Sequence, residues 1–178
     1  MSQLQTKYMG LDLHSPIIAG ASDVTYNLDY LKRIEDSGAG AVVIRSLFEE
    51  EIIMEMEEMM HEMISRPYVF PETHDYMEDA HEEDTVRSYL SFIENAKKAV
   101  DIPVIASINC ISDQKWTYLA KELERSGADG LELNMFVLPS DFNKTAQENE
   151  TLYFDVVNKI KEQVSIPVAM KISHYFSH

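Results

Sequence analysis

Residues 100–108, VDIPVIASI, and residues 164–172, VSIPVAMKI, share the pattern Val-x-Ile-Pro-Val followed by an apolar run. The proline stands at the start of a strand, where its missing N–H costs least. A second pair has the same relation: EDSGAGAVVI at 35–44 and ERSGADGLEL at 124–133. Each member follows an amphipathic stretch, turns at Ser-Gly-Ala and enters an apolar run. The glycine suits the left-handed conformation that ends many helices. The repeating element is therefore a helix, a tight turn and a short buried strand.

Extending this pattern along the chain predicts five strands, at Ile17–Ala21, Ala41–Arg45, Val104–Ile108, Gly130–Asn134 and Val168–Ile172. They are short and rich in Val, Ile and Leu, as strands covered on both faces should be. Helical spacing separates them. Leu28, Leu31 and Ile34 mark the first helix, and Val86, Leu90, Ile93 and Val100 the one before strand three. Trp116, Leu119, Ala120 and Leu123 mark the next, and Leu152, Val156, Ile160 and Val164 the last.

Alternating strands and helices make a parallel α/β sheet. An open doubly wound sheet and a closed barrel compete. AGASDV at 19–24 is not the glycine-rich turn of a dinucleotide fold, whereas a barrel accounts for the repetition. A complete barrel has eight units and usually ~250 residues. The predicted fold is a (β/α)8 TIM barrel truncated to about five β/α units. It forms a single incomplete domain over 1–178, with 47–85 inserted between strands two and three.

The chain has 178 residues with 45% apolar and 26% charged side chains, a soluble globular balance. Its apolar runs are too short to span a bilayer, and its first residues lack the basic and apolar segments of a secretion signal. Cys110, the single cysteine, cannot form an internal disulfide, which fits the cytoplasm. It is expected to be a small packed residue. The formal charge of −16 repels phosphate backbones and argues against nucleic-acid partners. Much of this charge lies in the carboxylate-rich stretch 49–84, read as a solvated face.

In a barrel, chemistry gathers at the C-terminal ends of the strands. Here those ends carry Ala21 and Ser22, Arg45 and Ser46, Asn109 and Cys110, Asn134, and Lys171. Asparagine both donates to and accepts from a heterocycle edge, and lysine can hold developing negative charge. A lysine within an apolar strand is costly to bury without a partner.

Five segments in this order, SPIIAGAS, VIRSLFEE, PVIASINCIS, GLELNMFVLPSD and PVAMKISHYF, resemble the dihydroorotate dehydrogenase family, in particular its dihydroorotate dehydrogenase-like branch. The resemblance implies an FMN-binding (β/α)8 barrel preceded by a β-hairpin, and TKYMGLDLHSP alternates suitably for a hairpin around Gly10. It places Ala21 and Ser22 against the flavin and Arg45 and Ser46 near its ring. The resemblance also implies that Asn109 and Asn134 face flavin or substrate and that Lys171 contacts the ring. It implies an FMN-dependent oxidoreductase acting on a CH–CH bond of a small-molecule substrate, with a place in pyrimidine biosynthesis. The family pattern puts a Cys or Ser base after strand four. In NMFVLPSD that position is Leu138, and Ser140 is the substitute candidate.

Within 47–85, Ile52, Ile53, Met56, Met59, Met60 and Met63 form one apolar helical face opposite glutamates, expected to pack on the barrel. His61, His74 and His81 fit no compact metal motif, so no metal is expected. The family's flavin-phosphate loops follow strands beyond the fifth. The chain is accordingly read as an N-terminal fragment, inactive alone, associating as a homo-oligomer or through its open sheet edges. Two alternatives are a degenerate non-catalytic half-barrel and an enzyme resembling flavin tRNA-dihydrouridine synthases, which the net charge opposes.

Overall fold

The computed structural model describes residues 4–50, 54, 72–109, 113–136, 138 and 140–174. Its N-terminus is a hairpin of β1 (Thr6–Tyr8) and β2 (Leu11–Leu13), paired antiparallel with Tyr8 opposite Leu11. Met9 and Gly10 form its two-residue loop, with φ of 55° and 86°. Two successive positive φ values define a type I′ turn, whose twist matches that of the strands it joins.

Among the described residues, five parallel strand positions with four helices between them follow. They comprise β3 (Ile18–Ala19), α1 (Leu28–Asp36), β4 (Ala41–Val43), β5 (Leu47–Phe48), α2 (Glu72–Ala99), β6 (Val104–Asn109), α3 (Asp113–Arg125), β7 (Gly130–Met135), α4 (Ala146–Lys161) and β8 (Val168–Ile172). The strand order is β3-β4-β6-β7-β8, with β5 continuing the line of β4 against β6. Each new strand joins the edge beside its predecessor, so the sheet is a parallel arc of barrel type with helices on its outer face.

The two faces of this arc differ in chemistry. Outward-facing Val42, Ile44, Val104, Ala106, Ile108, Leu131, Leu133 and Met135 pack with Leu31, Ile93, Leu119, Leu123, Val156 and Ile160 of the helices. The inner face begins apolar: Ala41, Val43 and Ile105 cluster with Leu13 of the hairpin, with Met9, Leu11, Ile18 and Ala21 packed against them. The hairpin thus lies against the N-terminal part of the inner face. Farther along the same strands this face becomes polar.

The five expected strands are present, with two differences. Strand one is only Ile18–Ala19, and strand two leaves the ladder after Val43 and re-enters at Leu47. Val43 pairs with Ile105 and Leu47 with Ile108, four steps on one strand against three on its neighbour. One extra residue is therefore accommodated between them, the geometry of a β-bulge. Residues 47–85 are not wholly an insertion, because Leu47–Phe48 belongs to the sheet and α2 begins at Glu72. The expected apolar helix over 52–63 lies outside the described residues apart from Met54, which is helical and exposed. His61 and the side chains of His74 and His81 also lie outside them. Leu152 is 41% exposed, contrary to its expected place in the core, while neighbouring Tyr153 is buried.

The internal repeat has a structural counterpart. Glu35 Oε1 accepts hydrogen bonds from the amides of Asp101 (2.7 Å) and Ile102 (3.1 Å). Its counterpart Glu124 accepts from the Ser165 amide (2.7 Å), the Ser165 hydroxyl (2.6 Å) and the Ile166 amide (3.2 Å). In each unit the carboxylate near the helix end holds the turn leading to the next Ile-Pro-Val strand. The Ser165 hydrogen bonds lower the Glu124 pKa. A depressed carboxylate pKa contributes stability above the unfolded-state value, which is lost as pH falls through the folded value. Glu124→Gln is expected to flatten the acid limb of stability below about pH 4.5. Glu35→Ala and Glu124→Ala should each cost about 1 kcal/mol in urea unfolding at neutral pH.

Candidate active site

The polar part of the inner face is built by strand register. Ser107 of β6 is level with Glu132 of β7, and Glu132 with Ala169 of β8. One inward step farther, Asn134 is level with Lys171. Side chains at i and i+2 on a strand share a face, so Ser107 and Asn109, Glu132 and Asn134, and Ala169 and Lys171 all face inward. Asn109 pairs with Phe48 of β5, at the C-terminal end of β6.

A hydrogen-bond chain crosses this face. Lys171 Nζ donates to Glu132 Oε1 at 2.8 Å, and the Ser107 hydroxyl donates to the same oxygen at 2.9 Å. The Ser46 and Ser107 hydroxyl oxygens are 2.7 Å apart. Ser107 has one proton, and an ionised carboxylate only accepts. With that proton directed at Glu132, Ser107 must accept from Ser46. The chain therefore runs Ser46 to Ser107 to Glu132, with Lys171 converging from the other side.

The bulge separates Arg45 from Ser46. Ser46 joins the polar row, whereas the Arg45 guanidinium lies 5.2 Å from the centre of the Tyr26 ring and 3.9 Å from Asp23. Arg45 thus stands at the rim beside the turn after β3 rather than in the row. Ala21 packs with the apolar cluster of the inner face, and the Ser22 hydroxyl donates to Gly20 O at 3.3 Å. The Ser22 amide donates to Thr25 Oγ1, whose hydroxyl returns a bond to Ser22 O at 2.8 Å. This fixes the turn against which the Arg45 side chain rests.

Tyr89 of α2 supports the row from behind. Its hydroxyl is 2.7 Å from Arg45 O and 3.0 Å from Ser107 O, and the Ser107 amide approaches it at 3.4 Å. Its ring stacks on Tyr26 at 5.8 Å. Burial pushes the Tyr89 phenol well above its ordinary range, outweighing the opposing Ser107 hydrogen bond.

The structure brings Ser46, Asn109, Asn134 and Lys171 to one concave end. It leaves Ala21, Ser22 and Arg45 at the adjoining rim. Ser140 is exposed beyond β7, where its amide donates to Leu138 O at 2.8 Å, and Leu138 is 56% exposed. Cys110 lies outside the described residues. Sequence reasoning missed Ser107, Glu132 and Tyr89. The signal for Glu132 was present: a carboxylate in a buried strand, two residues before Asn134, needs a cationic partner. Among the described residues, no helix is long and apolar enough to cross a membrane.

A parallel β/α arc with helices on its outer face defines a barrel-type β/α architecture, and the polar, lysine-containing row lies at its C-terminal end. No family model matches the chain. It is 25% identical to the catalytic subunit of dihydroorotate dehydrogenase B (NAD(+)) from Thermoplasma volcanium, over 97% of this chain and 55% of that protein. The same subunit from Methanocaldococcus jannaschii is 26% identical over 96% of this chain and 54% of that protein. The chain spans about half the length of these curated relatives. Among solved structures, a dihydrodipicolinate synthase from Bacillus anthracis superposes with a TM-score of 0.51 at 16% identity, covering 86% of this chain and 44% of that one. This likeness supports the barrel-type fold.

Proposed function

We propose that this chain carries part of the active site of a dihydroorotate dehydrogenase-like, FMN-dependent oxidoreductase acting on a CH–CH bond. The observation that carries the reading is the row Asn109, Asn134 and Lys171 above Ser107 and Glu132, at the strand ends where barrel chemistry lies. The similarity to dihydroorotate dehydrogenase B catalytic subunits supports it independently.

The donor set fits a flavin ring. Two carboxamides can complement its alternating acceptors and N–H, and one ammonium can face the charge that accumulates on reduction. Asn109, Asn134 and Lys171 would hold the ring, with the turn at Ala21 and Ser22 and the Arg45 side chain bordering it. When bound, FMN would accept a hydride from substrate carbon. Lys171 would supply positive charge, and the serine row would keep Glu132 fixed beneath it. The apolar lower face and hairpin would exclude water from that side.

Leu138 cannot take a proton, and Ser140 has only an exposed hydroxyl to offer. We place the protein in the cytoplasm, with a small-molecule substrate. We further propose association between copies through the sheet edges at β3 and β8, supported by Ile17 beside one edge and Ile172 on the other, which are 66% and 47% exposed.

The test is flavin binding by the purified chain, followed by quenching of flavin fluorescence. Wild-type chain should bind, and Lys171→Met should weaken binding about tenfold, the value of one charge-assisted hydrogen bond. Equal binding by both proteins would remove Lys171 from the site. Binding without substrate-dependent flavin reduction would favour a non-catalytic half-barrel.

A further inference from the structure

We infer that Glu132 is a positioning residue that presents the Lys171 ammonium to the flavin ring, an inference that rests on the FMN reading above. The two ends of the ion pair differ. The Glu132 side chain is 14% exposed and that of Lys171 is 45% exposed. The carboxylate is also anchored from the other side, because Ser107 donates to the oxygen that receives Lys171. Ser107 is fully buried and Ser46 is 3% exposed, so the anchor is part of the packed sheet. Tyr89 further fixes it through the Ser107 and Arg45 carbonyls. The carboxylate is the fixed member, and the ammonium is the member held toward the open concave side.

Stability alone is a weak reason for this arrangement. An ion pair with a half-exposed lysine contributes little to folding, while a partly buried carboxylate costs desolvation. The arrangement instead restricts a flexible four-carbon side chain to one place at the candidate ring site. It also brings a negative charge close to the positive one. Glu132 therefore acts in two opposed ways: its hydrogen bond keeps Lys171 in position, and its charge offsets part of Lys171's attraction for the reduced ring.

The test separates position from charge. The probe is riboflavin, which has the flavin ring without the phosphate, titrated anaerobically in its oxidised and reduced forms into the 178-residue chain. In Glu132→Gln, the amide oxygen still accepts from Lys171 and Ser107 but the charge is gone. Relative affinity for reduced riboflavin should rise about tenfold, equivalent to about +30 mV for a two-electron couple. Glu132→Ala removes the anchor and should lower that relative affinity toward the Lys171→Met value. Glu132→Asp should recover part of it. Circular dichroism of each variant confirms folding.

If the wild-type chain binds riboflavin and the folded Gln and Ala variants keep its oxidised-to-reduced affinity ratio, Glu132 is only structural and the inference is overturned. If the wild-type chain binds neither riboflavin nor FMN, the flavin reading itself falls, and the inference with it.

Discussion

Gly40→Ala is expected to destabilise the protein by about 3 kcal/mol or more, beyond most single substitutions. Gly40 precedes β4 and is buried where the segment after the hairpin crosses the sheet. A Cβ built there would lie 2.0 Å from Ser15 O and 2.9 Å from Ser15 C. Both are backbone atoms, so rotating a side chain cannot relieve the overlap. The Gly40 amide also donates to Ile17 O at 2.7 Å, so moving the segment away would break this bond. Gly20 provides a control, because a Cβ there meets nothing within 4 Å. Gly20→Ala should stay within about 0.5 kcal/mol of wild type. Urea unfolding followed by far-ultraviolet circular dichroism measures both. Equal midpoints for Gly40→Ala and wild type would mean that residues 15–17 are not seated on the sheet.

Tyr89→Phe should cost about 2 kcal/mol, because the Arg45 and Ser107 carbonyls lose a shared buried donor while the ring remains. The same substitution should alter the alkaline limb of stability. A tyrosine phenol titrates near pH 10 in the unfolded chain, and burial raises the folded value above that. Above pH 10 the unfolded state loses its proton first. The stability contribution is thus fully present below pH 10 and is lost as pH rises toward the folded value, with a slope of up to about 1.4 kcal/mol per pH unit. Tyr89→Phe removes that slope, so the difference from wild type should shrink above pH 10. A constant difference from pH 8 to pH 11.5 would show that the phenol ionises equally easily in both states. Because Tyr89 braces the carbonyls beside Ser46 and Ser107, its loss should also weaken the flavin binding proposed above.

Much of the fold was legible because its causes are local and repeated. Val-x-Ile-Pro-Val at 100–104 and 164–168 marked β6 and β8, and Ser-Gly-Ala at 37–39 and 126–128 marked the helix ends. Gly38 and Gly127 have φ of 90° and 87°, the left-handed conformation their sequence context required. The hairpin expected around Gly10 from the alternation in TKYMGLDLHSP is present, and Gly10 has a φ of 86°. Periodicity alone did not identify the buried member of Leu152-Tyr153. A phenol ring can pack with its polar end outward, and the choice depends on the neighbouring helix.

The site was legible in part. Asn109, Asn134 and Lys171 were picked out as candidates because polar residues ending apolar strands stand out one strand at a time, and the structure places them together at one end of the sheet. Ser107 and Glu132 were missed because their meaning depends on register between strands. The separation of Arg45 from Ser46 was equally invisible, since a bulge is the difference between two strand counts and neither sequence shows it alone.

The sequence by itself determined the β/α repeat, the turns and the identity of the groups at the strand ends, because these follow from backbone preferences and the period of apolar residues. Only the tertiary structure decided which groups meet. Its register joins residues 46, 107, 132 and 171 into one hydrogen-bonded row, because a carboxylate on an inner barrel face must find its donors on adjacent strands.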